Sequence, residues 1–260
     1  MGKKGKTGRL KRKPAPRFWP IPRKQFTWVI KPSPGSHSLK NCLPLSLVIR
    51  DILELAKTRK EAKKIVTQGK VYVDGKVRRK DDFPVGLMDV ISFIGLNKSY
   101  RLVPSHKGLF VNPIDTEESK FKLFRVENKT ILKNNNIQYA FHDGSTILFK
   151  TEDSTKLPQI SYETFDVLKL SIPEKEIIGQ LKTKEDNIAI ITGGKNIGKY
   201  GKIVEIEKTV AKKRRNALVM IEDESGKQYQ TIMDFIFVIG KSKSLISLKA
   251  ISPKEDTSSD

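Results

Sequence analysis

The chain has 260 residues, with 50 Lys and Arg against 29 Asp and Glu, a formal net charge of +21 and a single cysteine. This length exceeds one compact core and predicts several small domains, while the lone Cys42 excludes an internal disulfide framework. No apolar run approaches the ~18 residues of a membrane helix, and the start MGKKGKTGRLKRK lacks the apolar segment of a secretory signal, so a soluble, intracellular protein is expected. A cation excess this large calls for a polyanionic partner, nucleic acid ahead of an anionic membrane face.

The charge is unevenly spread. Residues 1–50 hold eight Lys, five Arg and no acidic residue, so 13 of the 21 excess charges lie there, together with seven of the 13 prolines. Such a strip cannot offset its ordering entropy by burial, which predicts an extended arm over residues 1–42 that orders on its partner. Lys3, Lys4, Arg9, Lys11, Arg12, Lys13, Arg17, Arg23 and Lys24 are its candidate phosphate contacts. Phe18, Trp19, Phe26 and Trp28 lie between these cations. Trp19 is the candidate base-stacking ring, with docking of Trp19 and Trp28 on the arm's own protein an equal alternative.

Residues 43–93 predict a compact helical unit closed by strands. In LPLSLVIRDILELA, Leu45, Val48, Ile52 and Leu55 recur at three- and four-residue steps, one buried stripe on a helix. A second helix follows, with Thr58 and Glu61 as a capping box, Ala62, Ile65 and Val66 as the apolar face and Gly69 as the stop. KVYVDGKV then alternates around Asp74-Gly75, the dipeptide of a type I′ hairpin. Arg59, Lys60, Lys63 and Lys64 crowd the polar side of the second helix, and Arg50, Lys57, Lys70, Lys76, Arg78, Arg79 and Lys80 extend that surface. Like charges at helical spacing repel, and an external anion removes the penalty, so this face is a candidate binding surface.

Residues 94–175 read as short alternating strands between Gly, Asn and Asp turns, a structural barrel or sandwich. His142 and Asp143 precede Gly144 with no nucleophile in view, so a hairpin turn is preferred to acid–base chemistry. His37 and His106 look isolated, and one cysteine provides no zinc-ligand spacing. No catalytic residue, metal or cofactor is assigned.

In ITGGKNIGKYGKI, Gly193, Gly198 and Lys199 have the spacing of a phosphate-cradling P-loop, but Tyr200 stands where that motif needs a hydroxyl for Mg²⁺. The following KIVEIEK alternates with a β period where a P-loop needs a helix N-terminus. The reading is therefore strand, glycine loop, strand, with Gly193, Gly194, Gly198 and Gly201 allowing positive φ and close approach. Lys195, Lys199 and Lys202 project from the loop, Asn196 and Tyr200 are candidate base or sugar contacts, and Lys212, Lys213, Arg214 and Arg215 form a second basic loop. Further strands through FIFVIG close a small barrel over residues 176–245, followed by a tail, residues 246–260.

The glycine loop resembles a KOW motif, part of an SH3-like barrel that meets RNA. Residues 50–92, through RDILELA, TRKEAKKIVTQGKVYVDGKV and PVGLMDVIS, resemble an S4-type RNA-binding domain. In this order, with PSPGSHSLKNCLPL near the arm and FIFVIGK near the end, the chain resembles the archaeal and eukaryotic small-subunit ribosomal protein S4e family. The acidic tail SPKEDTSSD departs from the basic extension of eukaryotic members and points to an archaeal source. The resemblance implies an α+β protein of four parts: a basic arm, an S4-type domain, a central β domain and a C-terminal KOW barrel. It implies binding of ribosomal RNA beside neighbouring ribosomal proteins, without catalysis, through Arg59, Lys60, Lys63, Lys64, Gly193, Gly198, Lys199 and Gly201. An RNA-modifying enzyme or assembly factor built on the same module is the competing class.

Overall fold

A computed structural model describes residues 9–96, 98–150, 162–207 and 214–248. They are mostly β with few helices: three five-stranded antiparallel sheets, two two-stranded pairings and two helices against the first large sheet. Among the described residues no helix is long and apolar enough to cross a membrane.

The described part of the arm is folded onto its own protein. Leu10–Lys11 pairs with Trp28–Val29, and Cys42–Pro44 pairs with Pro84–Gly86. Trp19 is only 2% exposed and its indole N–H donates to the Cys42 carbonyl at 2.8 Å. With Ala15 and Ile21 it joins the core formed by Leu43, Leu45 and Val48.

Helix α1 departs from the expected stripe. It starts at Leu45–Leu47, opens into a π turn over Val48–Ile52 and stops, the Leu53 N–H reaching back five residues to the Val48 carbonyl. The wider turn breaks the 3.6-residue period and Glu54 takes φ 53°, so Leu55 leaves the stripe and is exposed. Helix α2, Arg59–Thr67, forms as its caps require: Thr58 accepts from the Glu61 N–H, and Glu61 accepts from the Thr58 N–H. Ala62 and Val66 are fully buried, and Gly69 leaves the helix at φ 76°.

Asp74 and Gly75 have φ 51° and 70°, the signature of a type I′ turn, between Val71–Val73 and Lys76–Val77. This hairpin belongs to a sheet ordered Lys76–Val77, Val71–Val73, Val90–Phe93, Ser99–Ser105, Gly108–Ile114, which crosses the boundary expected at residue 93. The central sheet, ordered Thr146–Phe149, Ile137–Phe141, Phe121–Ile131, Val167–Ser171, Ile177–Leu181, likewise crosses the one expected at 175. In the third sheet, Ile188–Ile191, Tyr200–Glu207, Leu218–Glu222 and Gln228–Ile232 run as a meander and Ile236–Gly240 returns beside the first of them. Its core is shared: Ile190, Val219 and Phe237 pack with Val103 of the first sheet, Met88 in the turn before Val90–Phe93, and Leu123 and Val167 of the central sheet.

Where the first two sheets meet lies a buried charge cluster absent from the sequence reading. Lys122, fully buried on the central sheet, donates to Asp89 at 2.6 Å and Asp74 at 2.7 Å, with Asp143 at 3.6 Å. Burial opposes its charge, but the three carboxylates outweigh burial and raise its pKa. His37 corrects the expectation of isolation: its Nε2 lies 3.0 Å from Asp89. Burial would lower the His37 pKa, but Asp89 prevails and raises it. His142, Asp143 and Gly144 form the expected turn between Ile137–Phe141 and Thr146–Phe149. The His142 Nδ1 accepts the Arg125 N–H and its Nε2 donates to the Leu87 carbonyl, while burial, reinforced by Lys122, pushes its pKa down to about 3.

Candidate nucleic-acid interface

Helix α2 buries Ala62 and Val66, so its spacing turns Arg59, Lys60, Lys63 and Lys64 outward, and all four are exposed. Arg59 meets Asp81 at 3.3 Å, an exposed pair of the kind worth at most about 1 kcal/mol. Lys57, Lys70, Lys76, Arg79 and Lys80 are exposed around this helix. Two candidates are engaged internally: Arg50 makes a bidentate pair with Asp51 at 2.7 and 2.9 Å, and the Arg78 guanidinium lies 4.2 Å from the Phe83 ring centre.

The arm cations divide the same way. Arg9, Lys11, Lys13, Arg17 and Lys24 are exposed. Arg12 is buried and donates to the carbonyls of Pro22 and Trp28, and Arg23 donates to those of Arg12, Ala15 and Pro16. These two arginines hold the arm's shape. The stacking role expected for Trp19 is corrected: a ring 2% exposed has no face for a base. The rings in solvent are Phe26, 65% exposed beneath Arg12, and Trp28, 50% exposed beside Arg9. The signal for this lies in local sequence, since Trp19 sits in the apolar run FWPIP whereas Phe26 is flanked by Gln25 and Thr27. The arm and helix α2 meet at one groove, lined by Arg9, Trp28 and Lys31 on one side and by Arg59, Asp81 and Asp82 on the other.

At the glycine loop, Tyr200–Glu207 is a strand, so the helix N-terminus that a P-loop needs is absent there. The loop closes by hydrogen bonds from the Ile191 N–H to the Lys199 carbonyl and from the Gly198 N–H to the Ile191 carbonyl. Lys195, Lys199 and Lys202 are exposed, Lys199 lying 5.6 Å from the Tyr229 ring centre and Lys202 meeting Asp186 at 2.8 Å. Asn196 donates to the Gln230 carbonyl, and Tyr200 is half-buried. The glycines divide their work: Gly194 and Gly198 take positive φ, whereas Gly193 and Gly201 do not. A Cβ on Gly193 would lie 2.7 Å from the Phe235 ring, one on Gly198 2.7 Å from the Ser105 backbone, and one on Gly201 would strike the Glu222 carbonyl. Three of the loop glycines therefore serve packing within the protein.

Arg214 pairs with Glu163 at 2.7 Å, and Arg215 with Asp234 at 3.3 Å and Glu127 at 3.5 Å, all partly exposed. Lys3, Lys4, Lys212 and Lys213 lie outside the described residues. Among the described residues no group of three or more His, Cys, Asp or Glu is arranged to hold a metal ion.

These exposed cationic rows on a β-rich scaffold define a basic protein whose helix-and-hairpin module matches the S4 domain over residues 48–91. The model of the RS4NT (NUC023) domain matches residues 4–40, and that of ribosomal family S4e matches residues 96–177. The small ribosomal subunit protein eS4 of Desulfurococcus amylolyticus is 46% identical over 249 residues, covering 95% of this chain and 98% of the relative. The protein of that name from Methanocaldococcus jannaschii is 42% identical, covering 95% of this chain and all of the relative. The crystal structure of the 30S ribosomal protein S4e from Thermoplasma acidophilum superposes with a TM-score of 0.64 at 33% identity, covering 78% of this chain and 97% of that one. The chain belongs to ribosomal family S4e.

Proposed function

We propose that this protein is a structural constituent of the small ribosomal subunit in the cytoplasm, binding ribosomal RNA and neighbouring ribosomal proteins rather than catalysing a reaction. The observation that carries the reading is the exposed row Arg59, Lys60, Lys63 and Lys64, whose first member, Arg59, lines one groove with the cationic arm. The buried ionisable groups agree with it: Asp74, Asp89, Asp143 and His37 are engaged in internal pairs around Lys122 and Asp89. The C-terminal sheet, a four-stranded meander with its last strand returned beside the first, supports a KOW-type SH3-like barrel. The arm, the S4-type module, the central β unit and this barrel are the functional divisions.

Folded RNA hides its base edges in a deep, narrow groove, so contacts of this kind read phosphate positions and shape. Each phosphate neutralised releases counterions, and affinity falls by about 0.7 to 0.9 log units per contact for each tenfold rise in salt. Two measurements test the reading: co-sedimentation with small ribosomal subunits, and filter binding to small-subunit ribosomal RNA across a salt series. A flat salt response together with absence from ribosomal particles refutes it.

A further inference from the structure

The groove shared by the arm and helix α2 has a volume of about 530 Å³ and a composition that bare phosphate binding does not explain. We propose that it is a recognition site for a single unpaired guanine nucleotide. The inference rests on the RNA-binding reading above and adds a base identity to it.

Three observations carry it. First, Trp28 is 50% exposed at the groove wall, with the Arg9 guanidinium 5.9 Å from its ring centre. A base sandwiched between two flat groups needs two van der Waals contacts, about 7 Å in total, so a movement of about 1 Å by flexible Arg9 opens the slot. Stacking on Trp is sequence-tolerant and holds any base.

Second, Arg9, Lys31 and Arg59 outnumber the two carboxylates of the groove, so its walls keep a net positive charge that suits the backbone phosphates flanking a stacked base. Third, two carboxylates stand among these cations, where a site for phosphate alone would exclude them. Asp81 is neutralised by Arg59 at 3.3 Å, whereas the Asp82 carboxylate makes no hydrogen bond or ion pair with another described residue. A carboxylate is an acceptor only. Among the four RNA bases, guanine alone presents two adjacent N–H donors on its pairing edge, N1–H and N2–H, which match the two oxygens of Asp82. Adenine and cytosine meet that carboxylate with an amino group beside an unprotonated ring nitrogen, which repels it.

The test uses the full chain and its own tryptophans. Trp19 is buried, so the solvent-exposed tryptophan emission belongs to Trp28. Titration with the pentamers UUGUU, UUAUU and UUCUU is expected to quench that emission, UUGUU binding about tenfold tighter, the discrimination typical of one bidentate base contact. Asp82→Asn brings the three pentamers to one affinity. Trp28→Ala weakens all of them about tenfold, the loss of one stacking platform, while Trp28→Phe keeps the guanine preference when read by anisotropy of labelled RNA. Equal affinity of the wild-type chain for the three pentamers overturns the proposal, as does a guanine preference that survives Asp82→Asn. Binding of ribosomal RNA with a steep salt slope separates the two levels: if it persists while the preference is absent, only the guanine site fails.

Discussion

Replacing Lys122 by Met removes the cation at the centre of the buried cluster with little change in side-chain volume. The wild-type ammonium satisfies Asp89 at 2.6 Å and Asp74 at 2.7 Å and stands 3.6 Å from Asp143. Breaking a buried pair from one side costs about 3 to 5 kcal/mol, because a charge is left without compensation. Here His37 still faces Asp89, which relieves one carboxylate, but Asp74 and Asp143 lose their buried cation, so about 4 kcal/mol is expected. At roughly 3 °C per kcal/mol for a chain of this size, the melting temperature falls by about 12 °C. The deficit has a pH signature. Burial raises the Asp89 pKa, but Lys122 and His37 outweigh burial and hold it well below the usual carboxylate range. Its stabilisation is thus present above the unfolded pKa and lost as pH falls through the folded one. In the variant the carboxylates take up protons more readily when folded than when unfolded, so acid relieves the defect, and the gap between variant and wild type narrows from pH 7 towards pH 4. Denaturant unfolding at several pH values measures this. A gap below about 1 kcal/mol, smaller than the cost of one broken buried pair, or one that does not change with pH, refutes the reasoning.

His37→Gln is expected to cost more at pH 5 than at pH 8, because a histidine with a raised folded pKa contributes its stabilisation below the unfolded value and loses it as pH rises through the folded one. Thermal unfolding at the two pH values checks the sign. Gly201→Ala drives a methyl into the Glu222 carbonyl and should cost about 3 kcal/mol by denaturant titration, with the N-terminal modules less affected. Thr58→Ala removes one half of the capping box and should cost about 1 kcal/mol in the same assay. Lys60, Lys63 and Lys64 changed together to Ala should lower the slope of log affinity against log salt by about 2 to 3 for ribosomal RNA, while leaving the melting temperature of the free protein unchanged or raised.

Much of the local structure was legible because it is set by neighbours in sequence. Thr58 and Glu61 cap helix α2, Asp74-Gly75 fixes the I′ hairpin, and the alternation after Gly201 announces a strand. The α1 stripe failed because a π turn, which the sequence pattern does not mark, shifts everything after Ile52. Composition predicts an arm unable to bury itself, yet Trp19, Arg12 and Arg23 supply a small core and internal carbonyl contacts that composition averages away. The basic face of α2 follows from helical spacing, whereas the choice among arm aromatics depends on which ring the fold covers. The Lys122 cluster draws on Asp74, Asp89 and Asp143, residues in three separate turns and connections, and no periodicity links them.

Met88, Val103, Leu123 and Val167 share one buried core with Ile190, Ile203, Val219 and Phe237, on strands that lie between Ile188 and Gly240. Synthesis delivers the N-terminal modules first, so a nascent chain that has emerged only to residue 185 carries a partly uncovered apolar seam across two modules whose own strands are complete. Until the final strand arrives, that seam is open to chaperones and to other unfinished chains, and an interruption of translation in this interval leaves a sticky product rather than a shorter working protein.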